Sequence, residues 1–235
     1  KFWEYLMLQN LLKRIITSIL LLSILFLINF SYKYIFILSI LILGIIVCLE
    51  ANNLFSKLPS IKYVNDTYFL KKFNFKLLIL NIITFCYIFL IFCNFSYEIH
   101  KSEGPIFFLF IISICFFTDI GGYMFGKIIG GKKLSKISPN KTISGTIGSF
   151  IYSIFPFIII LNFNYLDLEF NLTYIIFCLL ISFVSQLGDL FISFIKRKAE
   201  IKDTGNLLPG HGGVLDRVDG IIFAVPFSYL LLRLV

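Results

Sequence analysis

Between Ser185 and Asp219 the chain reads SQLGDLFISFIKRKAEIKDTGNLLPGHGGVLDRVD, a polar stretch inside an otherwise oily sequence. Ser185, Asp189 and Ser193 are spaced i, i+4, i+8 and share one stripe of a helix, so that face must point into a cavity or a protein interior. Downstream come Lys196, Arg197, Lys198, Lys202, Asp203 and His211. Gly210, Gly212 and Gly213 leave little bulk around the histidine, and such a turn lets backbone N–H groups approach an anion. Asp216 and Asp219 are three residues apart and fall on one face at a helix start. Two acids there could merely complement the helix dipole, but their position beside the membrane, the GHGG turn and Arg217 favours a functional pair.

Two further sites of chemistry lie upstream. Asp119 interrupts an apolar run in TDIGGYMFGKIIGGKK, where Gly121, Gly122 and Gly126 suit either function or close helix packing. Lys141 stands in SPNKTISGTIGS beside Gly145 and Gly148, with Thr142 and Ser144 as candidate helix caps. A lysine at a glycine-rich helix start suits a phosphate, although many loops share this pattern. Carboxylates with a histidine and no cysteine select hard, oxygen-liking cations, magnesium above all. The neighbouring lysines and arginines suit a polyphosphate. Together they would stabilise charge on a transferring phosphoryl or nucleotidyl group, with one or two metal ions bridging the attacking and leaving oxygens.

The elements that must position these groups are membrane helices. Of the 235 residues 58% are hydrophobic and 14% charged, with a mean hydropathy of +0.92, far outside the soluble range. An all-α, polytopic helix bundle is expected, a single transmembrane domain over residues 1–235. About seven spans of near 20 residues are predicted, at 15–30, 34–50, 77–93, 106–125, 143–161, 172–192 and 218–235. With a cytoplasmic N-terminus, three basic residues precede the first span on the inner side, and the three inner loops carry five each. Only Lys33, Lys101 and Arg233 then face outward, which satisfies the positive-inside rule. Orienting the helices is sufficient explanation for the lysines of the loop at 51–76.

This topology brings the acids to one depth. Asp119 falls roughly 20 Å along the fourth span, and Asp189 roughly 25 Å along the sixth, at 1.5 Å per residue. Both spans run inward and the seventh runs back, so Asp119, Asp189, Asp216 and Asp219 meet at the cytosolic boundary. A carboxylate inside a membrane is costly and by default functional. The residues therefore point to a membrane enzyme acting on a phosphate-bearing lipid with a nucleotide from the cytosol.

The segment SFIKRKAEIKDTGNLLPGHGGVLDRVD, from Ser193 to Asp219, resembles the signature of the phosphatidate cytidylyltransferases, or CDP-diacylglycerol synthases. With Asp119, Gly122, Gly126 and the SPNKT segment, the resemblance covers residues 105–235, which would then carry the active site. It implies transfer of CMP from CTP to phosphatidic acid, giving CDP-diacylglycerol and pyrophosphate, with magnesium required and a second cation allowed. Carried over by position, Asp189, Asp216 and Asp219 resemble the metal-binding and catalytic acids, with Asp119 a further metal candidate. Lys202, His211 and Arg217 join the catalytic set. Lys141, Ser193, Lys196, Arg197, Gly212 and Gly213 are the candidates for binding substrate phosphates. The lipid phosphate would attack the α-phosphorus of CTP, so no protein nucleophile is needed. Where family members commonly have Trp-Glu-Gly after the SPxKT segment, this chain has Ile143, Ser144 and Gly145, which leaves any role of that acid unfilled around Lys141.

The implied partners are CTP, phosphatidic acid and the bilayer, with a homodimer compatible and no nucleic-acid motif in view. The implied location is a bacterial inner membrane, multi-pass, with the active site facing the cytoplasm. A related CTP-dependent enzyme on an isoprenoid lipid, a polyprenol kinase or a CDP-archaeol-type synthase, is the near alternative. An ion-coupled transporter is the distant one, since intramembrane acids also mark ion pathways. The five cysteines, at 48, 86, 93, 115 and 178, lie in apolar runs without metal-ligand spacing, so neither a disulfide nor zinc is expected. The chain begins at Lys1 without a Met, so further N-terminal residues are expected.

Overall fold

A computed structural model of the chain describes residues 16–17, 19–61, 74–134, 138, 141–163, 171–208 and 212–234. Among these the structure is helical, and the extended pairings are isolated bridges, Lys133 with Thr142 and Leu208 with Gly212. In chain order the helices are α1 (Ile19–Asn29), α2 (Lys33–Ser56), α3 (Phe75–Ser102) and α4 (Gly104–Ile128). They continue with α5 (Ile143–Tyr152), α6 (Phe155–Phe163), α7 (Leu172–Lys198), α8 (Leu215–Val218) and α9 (Ile221–Leu234). α2, α3, α4, the α5–α6 pair and α7 are each long and apolar enough to cross a membrane, five in all among the described residues. Many of their large apolar side chains are exposed, among them Leu38 and Ile45 on α2 and Leu187 and Phe191 on α7. Water would penalise that surface, whereas hydrocarbon does not.

Among the described residues the expected first and seventh spans are matched in part. α1 is an apolar helix inside the expected first span, and α9, of 14 residues, lies inside the expected seventh. Other boundaries move outward. α2 continues past the expected end at residue 50 to Ser56, and α3 past 93 to Ser102. Polar residues at the end of an apolar run leave helical hydrogen bonding intact, so hydropathy marks the membrane-compatible window and not the helix. Within the fifth span the helix breaks at Ser153–Ile154, because Pro156 lacks the N–H that would bond four residues back. The tract Tyr87–Cys93 of α3 is wound as a π-helix.

The chain divides into two compact units. The first comprises residues 1–89 and 198–217, and the second residues 90–197 and 218–235. In the first, α2 and the beginning of α3 pack together, with Asn81 Nδ2 donating to Asn52 Oδ1 at 2.7 Å. Asn74 caps α3 by accepting from Leu77 N–H at 3.3 Å. In the second, α4 is the centre: Ile111, Ile114 and Phe110 are buried, and Phe110 and Phe107 meet Phe177 of α7.

The glycines after Asp119 serve close packing in this unit. A Cβ on Gly121 would strike Gly148 O and Tyr152, one on Gly148 would strike Phe125, and one on Gly145 would meet Gly122 O. α4 and α5 therefore approach at backbone contact, the small-residue arrangement favoured between membrane helices. A polar seam runs beside it. Ser149 Oγ donates to Thr118 O at 2.8 Å, Thr118 Oγ1 lies 3.0 Å from Ser182 Oγ, and Gln186 Nε2 donates to Ser182 Oγ at 3.3 Å. These bonds tie α4, α5 and α7 where no water competes.

Candidate active site

In the second unit three helices and a loop deliver charge to one place. Gly130 and Gly131, both at positive φ, turn the chain out of α4. The returning strand is held by Leu134 N–H to Lys141 O at 2.8 Å and Ile143 N–H to Lys132 O at 3.0 Å. Thr142 caps α5 as expected, accepting from Gly145 N–H at 3.1 Å. Ser144 does not cap; its hydroxyl donates to Gly130 O and closes the turn. Lys141, fixed between these bonds, forms an ion pair with Asp189 Oδ2, both side chains being about three-quarters buried.

Asp189 has further partners. Ser193 Oγ, one turn along α7, donates to Asp189 Oδ1 at 3.2 Å. The Asp219 carboxyl lies in hydrogen-bond reach of Asp189, and Lys196 acts on both acids through space. Asp119 is exposed within α4, ahead of its last two turns, and lies close enough to act on Asp219. Two small contacts bring Asp219 in: Gly188 packs on its carbonyl and on Phe223, and Gly220 packs on Ser185. Ser185 is buried, so the Ser185–Asp189–Ser193 stripe faces the protein interior. Arg197 is exposed on the last turn of α7.

The first unit holds the other half of the polar stretch. Asp216 Oδ2 accepts three hydrogen bonds: Thr204 N–H at 2.8 Å, Thr204 Oγ1 at 3.0 Å and Gly213 N–H at 3.1 Å. Gly212, at φ +86°, exchanges backbone bonds with Leu208. Of the N–H groups expected to approach an anion, that of Gly212 donates to Leu208 O and that of Gly213 to the Asp216 carboxylate. Lys202 and Arg217 are exposed, and His211 lies outside the described residues.

One acid of this unit escaped the sequence reading. Glu50, buried in α2, accepts Val214 N–H at 3.0 Å on Oε1, and Leu215 N–H at 2.8 Å and Thr204 Oγ1 at 3.0 Å on Oε2. It is the single acid of α2, the signal that singled out Asp119, but the predicted span ended at residue 50 and made it a boundary residue. Thr204, buried and bridging both carboxylates, carried no sequence signal at all.

Among the described residues no three His, Cys, Asp or Glu side chains converge to hold a metal by themselves. The donor chemistry still fits magnesium. Asp189 and Asp219 offer adjacent hard oxygens, and magnesium is held through one or two carboxylates plus substrate phosphates rather than by an all-protein cage.

A model of the cytidylyltransferase family matches residues 58–235, three-quarters of the chain and every candidate residue named above except Glu50. The chain belongs to the cytidylyltransferase family. Its relatives include the phosphatidate cytidylyltransferase of Staphylococcus saprophyticus, 40% identical over 136 residues, which are 56% of this chain and 51% of that protein. The protein of the same name from Staphylococcus haemolyticus is 41% identical over 136 residues, again 56% and 51% of the two chains. That of Staphylococcus aureus is 43% identical over 140 residues, 59% and 53%. The chain spans about half the length of these curated relatives. The acids and the lysine of the candidate site all lie on the matched segment.

Proposed function

We propose that this chain transfers CMP from CTP to phosphatidic acid, producing CDP-diacylglycerol and pyrophosphate in phospholipid synthesis. Family membership over residues 58–235 supports this reading, and the observation that carries it is the grouping of Asp189 with Lys141, Ser193 and Asp219 in one unit. A phosphatidate oxygen forms a bond to the α-phosphorus of CTP, and the bond from that phosphorus to the bridging oxygen breaks, releasing pyrophosphate. The lipid phosphate is the nucleophile, so the protein need only position two anions and offset their repulsion.

Asp189 and Asp219 would hold magnesium, whose charge, when bound, offsets that of the phosphates. Lys141 holds Asp189 in orientation and is itself a cation beside the reacting phosphates. Lys196 and Arg197 at the end of α7 attract the polyphosphate, Ser193 keeps Asp189 in its rotamer, and Lys202 and Arg217 keep the catalytic assignments that the resemblance implies. Asp216 and His211 carry the catalytic assignments that the resemblance implies. The distribution of lysine and arginine supports an inside N-terminus, with which this chemistry faces the cytosol at a bacterial inner membrane.

The test is purified protein in detergent with CTP, magnesium and phosphatidic acid, followed by chromatography of the lipids. CDP-diacylglycerol is expected, in equal amount to the pyrophosphate released. Absence of both products overturns the reading.

A further inference from the structure

Glu50 lies in α2, ahead of the segment that the cytidylyltransferase family matches and outside the residues that carry the resemblance. Its side chain is 6% exposed, and its partners lie 154 to 165 residues away in the chain. A buried carboxylate is costly unless its oxygens are fully engaged. Here Val214 N–H, Leu215 N–H and the Thr204 hydroxyl supply three donors. The loop is shaped to admit it: a Cβ on Gly205 would sit 2.6 Å from Glu50 Oε1, and one on Gly213 would press on Oε2 and on Thr204 Oγ1.

The same loop holds Asp216. Thr204 N–H and Gly213 N–H bond Asp216 Oδ2, and Thr204 Oγ1 stands 3.0 Å from both that oxygen and Glu50 Oε2. A hydroxyl has one proton, so the threonine is a shared link between the two carboxylates, not a separate donor to each. Gly213, Val214 and Leu215 are consecutive, and their three N–H groups are divided between Asp216 and Glu50. Movement of Glu50 therefore shifts the donors that place Asp216.

We propose that Glu50 is a positioning residue for Asp216, acting through Thr204 and the backbone of residues 213–215. What Asp216 does rests on the cytidyl-transfer reading above, whereas where it is held does not.

The test uses the full chain in detergent micelles and the variants Glu50→Gln, Thr204→Val and Thr204→Ser. Glutamine keeps the shape of Glu50 but turns one acceptor into a donor facing an N–H. Amide hydrogen exchange at Thr204 and at residues 213–215 is expected to rise about tenfold or more in Glu50→Gln, with exchange in α4 and α7 unchanged. Turnover of CTP, normalised to monodisperse protein, is expected to fall about 10- to 100-fold in Glu50→Gln and Thr204→Val while the KM for CTP moves by less than about threefold. Thr204→Ser, which restores the hydroxyl, recovers most of the lost turnover. Should Glu50→Gln fail to fold, the Thr204 pair carries the same test. Unchanged exchange at residues 213–215, or raised exchange with undiminished turnover, overturns the proposal. Wild-type protein that makes no CDP-diacylglycerol refutes the functional reading alone, and the exchange comparison then decides the placement of Asp216.

Discussion

Asp189 is the residue on which most partners converge, and its contacts divide into a cation, a hydroxyl and a second acid. The charge of Asp189 and the donor set around it differ in what they are needed for. Asp189→Asn keeps the volume and removes the charge, so turnover is expected to drop by about 10³-fold or more with the protein still folded, as for loss of a group that stabilises transferring charge. Near-normal CTP turnover in Asp189→Asn would exclude that carboxylate from the site. Lys141→Met removes the partner and leaves Asp189 partly buried beside Asp219. Here a loss of about 10²-fold in kcat/KM is expected, accompanied by a lower melting temperature because two like charges are left less compensated. The sequence marked Asp189, Lys141 and Asp219 by type and by depth in the membrane. It did not show that Lys141 pairs with Asp189, because a lysine at a glycine-rich helix start reads equally as a phosphate ligand.

Helices α4 and α5 meet at glycine, and this contact holds Asp119 and Lys141 on their respective elements. A single methyl group at Gly121 falls on Gly148 O and Tyr152, atoms fixed in helix backbone and ring. Gly121→Ala is therefore expected to lower stability by about 2 kcal/mol or more, as for overpacking a well-filled core. Ile120→Ala, one residue away at a 45% exposed position, should stay within about 0.5 kcal/mol. Thermal unfolding in detergent compares them, and equal melting temperatures would contradict the packing described. Helix positions were legible because each apolar run is long and each break is polar. Helix ends were less so, since α2 and α3 keep their hydrogen bonds past the end of the oily window. That shift of six residues at α2 concealed Glu50.

At the scale of the whole chain, family membership and, among the described residues, five crossing-length helices describe a membrane protein, and the distribution of lysine and arginine supports the orientation proposed above. In the proposed orientation, with the N-terminus inside, CTP reaches the site only from the cytosolic face. Inverted membrane vesicles supplied with external CTP and magnesium are expected to form CDP-diacylglycerol, and sealed right-side-out vesicles are not. Turnover in sealed right-side-out vesicles would overturn the proposed topology. Composition, hydrophobic runs and the polar signature together determined a helical membrane chain, its family and most of the acids proposed for the site, because membrane solvation and metal-ligand chemistry act on residue type and local spacing. Only the tertiary structure decided that Lys141 meets Asp189, that the glycines of α4 receive α5, and that Glu50 grips a loop 154 residues away through Thr204. Those pairings depend on which helix faces adjoin, and the spacing of residues along one helix holds no information about its neighbour.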